Sequence, residues 1–211
     1  MVTQQQLEEI IVNSPERIAS LKQVVAIQCV REPEHPDYCS RVFCTNTMKN
    51  VTRIKMLNPN SEVIVLFKNI ITYGFREQYY TEARRRGVLF VRYTDDTEPV
   101  VTLKDARGEM QEWGNLPLGD TSFSSLEIRA HEPVLKEELV LHPDLLVIST
   151  QVVPSKGTVQ LAEMLHVPLS SEGFFLEAHL KMRPMDFMEE GIFIAGMAHY
   201  PKFIEESIAH A

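Results

Sequence analysis

The stretch Val24-Val25-Ala26-Ile27-Gln28-Cys29-Val30 constrains this chain most. An almost unbroken apolar run of strand length leaves no face for water, so it belongs in a sheet covered on both sides, as parallel sheets are. Two similar runs follow, Glu62-Val63-Ile64-Val65-Leu66-Phe67 and Val88-Leu89-Phe90-Val91-Arg92-Tyr93. The interval before each is long enough for a helix. The first helix is expected from about Cys39 to Leu57, with Val42, Met48, Val51, Ile54 and Met56 at broadly helical spacing and Asn58-Pro59 as its stop. The second spans about residues 75–86 and is closed by Gly87. The pattern predicts a β-α-β-α-β unit with parallel strands and right-handed crossovers.

Upstream, Leu7, Ile10, Ile11 and Ile18 suit short helical pieces, with Ser14-Pro15-Glu16 as a cap and first turn. Downstream, residues 100–104, 125–130 and 136–140 read as short strands around the turn-rich stretch 108–119, which predicts an antiparallel appendage. The chain then returns to alternating elements: a buried strand over 145–150, a helix over 158–165, a last strand over 192–195 and a terminal helix over 201–210. At 211 residues and 44% hydrophobic content this is enough chain for one compact domain or two small ones.

A formal net charge of -8 argues against a general nucleic-acid or anionic-membrane binder, and the short run Arg84-Arg85-Arg86 does not reverse it. No apolar stretch reaches the length of a bilayer span, and the first residues lack a basic start and apolar centre. The expectation is a cytoplasmic protein. All three cysteines fall between positions 29 and 44, the wrong distribution for disulfides that staple a secreted domain.

Those cysteines carry the first chemical signal. Cys29 closes a strand, and Cys39 and Cys44 lie at the start of the next helix, so three thiols can converge on one metal-sized site. Soft thiolates suit iron–sulfur clusters or zinc, whereas the alternative is three small buried hydrophobes. His35 is a candidate fourth ligand. The second signal is Gly191-Ile192-Phe193-Ile194-Ala195-Gly196, where a glycine at a strand end before a helix lets backbone approach a nucleotide or flavin. An ordinary strand-to-helix turn reads the same way. The nine glycines never form G-x-G-x-x-G, so a complete dinucleotide cradle is not expected, and no nucleophile elbow, phosphate loop or H-E-x-x-H pair supports a hydrolase or kinase.

From Ile27-Gln28-Cys29-Val30 through Glu34-His35-Pro36-Asp37-Tyr38-Cys39-Ser40-Arg41-Val42-Phe43-Cys44, the chain resembles the cluster-binding passage of the heterodisulfide reductase A-subunit family. Ile70-Ile71-Thr72-Tyr73-Gly74, Val153-Pro154-Ser155, Gly173-Phe174-Phe175, His179-Leu180-Lys181-Met182-Arg183-Pro184 and Pro201-Lys202-Phe203-Ile204-Glu205-Glu206-Ser207 continue the likeness in order. The resemblance implies a thioredoxin-reductase-like α/β fold, part of a flavoprotein with two dinucleotide-binding domains. Residues 1–20 would end a flavin-domain segment, 21–140 would form a pyridine-nucleotide-like insert carrying the cysteines, and 141–211 would complete the flavin domain.

It further implies electron transfer in a heterodisulfide-reductase-like complex. Cys29, Cys39 and Cys44 would hold a [4Fe–4S] cluster. Thr150, Gln151, Gly196, Met197, Pro201 and Ile204 would line FAD. The family's glycine-rich flavin segment is not part of the match, so the expected partners are other reductase-type subunits, including a chain that supplies it. The alternative is a truncated relative kept as a cofactor-free interaction module. Four departures from the family pattern fall near the expected cofactors: Phe43 replaces a ligand cysteine, Gln151 a glycine, Met197 a cysteine, and His199-Tyr200 a Gln-Gly pair.

Overall fold

The computed structural model describes residues 1–31, 36–105, 110–112, 123–134 and 136–211. The chain divides into two units: Met1–Val30 with Phe43–Thr150, and Arg31–Val42 with Gln151–Ala211. In the first unit β1 (Val2–Thr3) leads into α1 (Gln4–Asn13), α2 (Pro15–Ala19) and β2 (Gln23–Val30). The Thr3 hydroxyl oxygen caps α1 by accepting from the Gln6 amide, and Gln6 Oε1 accepts in turn from the Thr3 amide. Pro15 opens α2, where its missing N–H costs nothing. The unit continues through α3 (Val42–Leu57), β3 (Glu62–Phe67), α4 (Glu77–Arg85) and β4 (Leu89–Arg92). Gly87, with φ of 78°, turns the chain just past α4.

The parallel sheet has the order β1-β9-β2-β3-β4, with β9 (Leu145–Thr150) inserted beside β2. Burial on both faces, the property expected of β2, follows the pleat of that strand. Val24 and Ala26 join Met48, Val51 and Ile54 of α3 and Leu7 of α1 in one core. Val25 and Ile27 join Val101, Ile128 and Leu141 in a second core. The latter three belong to the antiparallel sheet β6-β5-β7-β8, built from β5 (Val100–Asp105), β6 (Met110–Glu112), β7 (Phe123–Glu132) and β8 (Glu137–Leu141). Helices therefore cover one face of the parallel sheet and the antiparallel sheet covers the other. Each fully buried Val or Ile contributes about 1.5–3 kcal/mol, which makes this period-two division the main stabilising feature of the unit.

A polar knot crosses the helical side. Gln4 donates to Thr47 Oγ1 at 2.8 Å and to Ser149 Oγ at 3.1 Å, and accepts from Asn50 at 2.8 Å. All four residues are buried, so the network fixes α1 and α3 on β9 without leaving the Gln4 amide unpaired.

Three sequence expectations shift. The helix expected from Cys39 starts at Val42, because Arg41 takes a left-handed φ of 38° and Ser40 turns its hydroxyl to the Val152 amide. The strand expected over 192–195 is only an isolated bridge, Asp186 with Phe193, since Gly191 at φ 82° folds the segment back as a tight hairpin with no longer strand to pair with. The terminal helix begins at Ile204, as Phe203 is still extended. The second unit thus holds α5 (Thr158–Leu165), α6 (Ile204–His210) and a small core of Ala162, Val167, Phe175, Phe187 and Ile194.

Candidate functional site

The second unit holds a half-open cavity of about 330 Å³, lined by Tyr38, Cys39 and Arg41 from one segment, Phe174 and Glu177 from another, and His199 from a third. Side-chain-to-backbone hydrogen bonds hold these segments, because none of them is a regular element. The Gln151 amide donates to Pro36 O at 2.7 Å and Tyr38 O at 3.2 Å, and Tyr38 returns its hydroxyl to Val152 O at 2.5 Å. Gly173, at φ 86°, closes the turn that presents Phe174. Phe175 N then donates to Ala198 O at 3.1 Å and fixes the second segment to the third.

Three largely buried ionisable groups meet at the cavity wall, two of them, Glu177 and His199, lining it. His199 Nε2 meets Glu177 Oε2 at 2.6 Å, and Lys202 Nζ meets His199 Nδ1 at 2.8 Å. The side chains of His199 and Glu177 are 6% and 8% exposed, and Lys202 is 6% exposed. A protonated Lys202 can only donate, so Nδ1 accepts and Nε2 carries the proton towards Glu177. Burial lowers the His199 pKa, opposed by its bond to Glu177 and assisted by the charge of Lys202. Burial, with the nearby Arg41 charge, also lowers Lys202 from 10.5 to about 8. Burial alone would raise Glu177, but its backbone hydrogen bond and its bond to His199 hold it below the ordinary carboxylate value. The result is a carboxylate–imidazole–ammonium chain at the wall of a small cavity.

Arg41 braces the same wall. Its Nε donates to Pro201 O at 3.0 Å, its Nη2 pairs with Glu206 at 2.7 Å, and its guanidinium lies 5.1 Å from the centre of the Tyr200 ring. The Lys202 ammonium lies 3.5 Å from that ring centre. The Tyr200 ring is thus held by two cations. Glu177 had no sequence signal, and Lys202 appeared only within the Pro201–Ser207 motif, with no spacing that joins either to His199.

Of the expected metal ligands, Cys29 and Cys44 belong to the first unit and Cys39 to the second. The Cys29 and Cys44 sulfurs lie 3.9 and 3.8 Å from one acceptor, the Asn69 carbonyl oxygen. Cys39 Sγ accepts from the Arg41 amide at 3.3 Å. His35 lies outside the described residues. Among the described residues no three His, Cys, Asp or Glu side chains gather as a metal site. A [4Fe–4S] centre takes four thiolates. With Phe43 at the remaining position and two thiols sharing one carbonyl, the residues do not fit that centre as seated.

Of the expected flavin-lining residues, Thr150 ends β9 and Gln151 spends its amide on the Pro36–Tyr38 backbone. Gly196, at φ 64°, opens a short turn through Ala198. Pro201 is buried, whereas Met197 is half exposed and Ile204 is 80% exposed. The Phe203 amide, just before α6, is already taken by the Glu206 carboxylate at 2.8 Å. A carboxylate there competes with any flavin oxygen, so these residues do not build a flavin cradle by themselves. No helix among the described residues is long and apolar enough to cross a membrane.

No protein-family model matches the chain. It is 31% identical over 194 residues to the A-subunit of ferredoxin:CoB-CoM heterodisulfide reductase of Methanosarcina acetivorans, covering 90% of this chain and 22% of that protein. It is 33% identical over 193 residues to the iron-sulfur A-subunit of CoB–CoM heterodisulfide reductase of Methanocaldococcus jannaschii, covering 89% and 26%. The chain spans about a quarter of the length of these curated relatives. Among solved structures, thioredoxin reductase of T. acidophilum superposes with a TM-score of 0.55 at 12% identity, covering 94% of this chain and 51% of that one. The Lactococcus lactis thioredoxin reductase gives 0.54 at 11%, covering 95% and 52%. The parallel sheet with its antiparallel companion is therefore the thioredoxin-reductase-like α/β fold expected from the sequence, and along nine-tenths of its length the chain is homologous to one portion of the heterodisulfide reductase A-subunit.

Proposed function

We propose that this chain is an electron-transfer component of a heterodisulfide-reductase-type oxidoreductase, working in the cytoplasm with other subunits of that system rather than alone. The observation that carries the reading is identity of about 30% across nine-tenths of the chain to heterodisulfide reductase A-subunits. The family's ordered motifs and a fold shared with thioredoxin reductases support it. In this reading residues 21–140 correspond to a pyridine-nucleotide-like part and 141–211 to a flavin-domain part. Thr150, Gln151, Gly196, Met197, Pro201 and Ile204 face an FAD whose glycine-rich cradle comes from another polypeptide. FAD would supply hydride and single-electron chemistry when bound. Cys29, Cys39 and Cys44 are ligands to an iron–sulfur centre only if a fourth ligand replaces Phe43.

The test is anaerobic purification of the tagged chain from its own cells, with identification of co-purifying proteins and measurement of flavin, iron and sulfide per chain. Reductase subunits and stoichiometric flavin support the reading. A colourless chain without redox partners overturns it in favour of a cofactor-free interaction module, which the Glu206 cap and the Phe43 substitution specifically favour.

A further inference from the structure

We infer that Cys29 and Cys44 form a reversible dithiol–disulfide couple, a two-electron carrier that exchanges with low-molecular-weight disulfides. The inference deepens the electron-transfer reading above and rests on it. Its core is convergence: two cysteines outside any disulfide, one at the end of β2 and one in the first turn of α3, lie on the same Asn69 carbonyl oxygen at 3.9 and 3.8 Å.

The backbone at Cys29 is specialised for this position. Its φ of 59° is a left-handed conformation that non-glycine residues rarely adopt, and the β2–β9 register shifts between Ile27 and Val30, around it. Irregularities of this kind re-aim a side chain at the end of a strand, and they persist at functional positions because the surroundings hold them. Next to it the Gln28 side chain is 1% exposed, and neither polar atom of its amide has a hydrogen-bond partner. The two thiols also differ in access. Cys29 is partly exposed, whereas Cys44 is 4% exposed. An accessible attacking thiol beside a sheltered resolving thiol is the arrangement that disulfide exchange requires. Phe43 breaks the four-cysteine pattern expected for a cluster and leaves this pair intact.

The chemistry balances without a bound cofactor. The Cys29 thiolate attacks one sulfur of an external disulfide, forming a mixed disulfide and releasing one thiolate. The Cys44 thiolate then attacks the Cys29 sulfur, forming the internal disulfide and releasing the second. Two protein thiols are oxidised, one external disulfide is reduced, and the two protein protons end on the released thiols. The reverse sequence returns the electrons.

The full-length chain, freed of iron, is equilibrated anaerobically with glutathione at graded ratios of oxidised to reduced form. Free thiols are then trapped by alkylation, and peptides are mapped by mass spectrometry. A Cys29–Cys44 cross-linked peptide should rise and fall reversibly with the ratio. In Cys44→Ser the reaction should stall as a glutathione adduct on Cys29. An internal disulfide that engages Cys39 instead, or a Cys44→Ser adduct on Cys39, overturns the assignment. So does absence of any cross-link while circular dichroism shows a folded chain. Roughly four irons per native chain, lost when Cys29 or Cys44 is changed to Ser, overturn the couple but leave the electron-transfer reading standing. A reversible couple in a chain that associates with no redox subunit overturns that reading and leaves the thiol chemistry in place.

Discussion

Replacing His199 isolates the energetics of the second unit. His199→Ala removes the hydrogen bond to Glu177 at 2.6 Å and the one to Lys202 at 2.8 Å together, leaving a buried carboxylate and a buried ammonium without their shared partner. Hydrogen bonds to charged groups contribute about 1.5–3 kcal/mol each, and breaking a buried charged set costs about 3–5 kcal/mol. The expected loss is therefore about 3–5 kcal/mol. His199→Gln differs, because its amide nitrogen can donate to Glu177 while its oxygen accepts from Lys202, so the loss should stay below about 1.5 kcal/mol. Urea unfolding followed by circular dichroism measures both, and hydrogen exchange assigns the loss to residues 175–211. The pH dependence has a fixed sign. Between pH 10.5 and about 8 the unfolded chain takes up a proton on Lys202 that the folded chain does not, so stability falls as pH falls. His199, with its folded pKa lowered, extends the fall below pH 6.5, and Glu177 adds the loss below about pH 4.5. His199→Gln should abolish only the part that begins at 6.5. Equal losses for Ala and Gln, or an unchanged pH profile in the Gln variant, would refute the bridging role.

Gln4→Leu should cost about 2–4 kcal/mol, measured by urea unfolding, because Thr47, Ser149 and Asn50 lose a buried partner that an apolar side chain cannot replace. Asp144→Ala should cost about 1–2 kcal/mol in the same assay, since Asp144 Oδ2 accepts from the Lys22 and Gln23 amides at 2.6 and 3.0 Å where β2 begins. Tyr38→Phe should lose about 1 kcal/mol. Burial and the Glu172 charge push the Tyr38 phenol above its ordinary value, so the same change should remove a late-ionising tyrosine from an alkaline absorbance titration.

The parallel strands were legible because burial on both faces leaves a continuous apolar run: the expectations over 62–67 and 145–150 coincide with β3 and β9. The helix over 158–165 coincides with α5 for a related reason, a period that matches one buried face. β1 was not legible, since Val2 and Thr3 are too short to show any period and are strand only through pairing with Val147 and Ile148. Most of the second unit escaped for a different reason. Its cavity walls are set by individual bonds such as Gln151 to Pro36 and Arg41 to Pro201, which follow tertiary position rather than local spacing.

The same distinction separates the two most informative departures from the family pattern. Gln and His each offer one donor and one acceptor, so His199 can stand where the family has Gln and still bridge Glu177 and Lys202, while adding a group that titrates. Phe43 keeps nothing of a cysteine that matters to a metal, because an aromatic ring has no soft lone pair to donate. His199 thus adds a titrating group to the bridge between Glu177 and Lys202, whereas Phe43 offers no ligand atom beside Cys44.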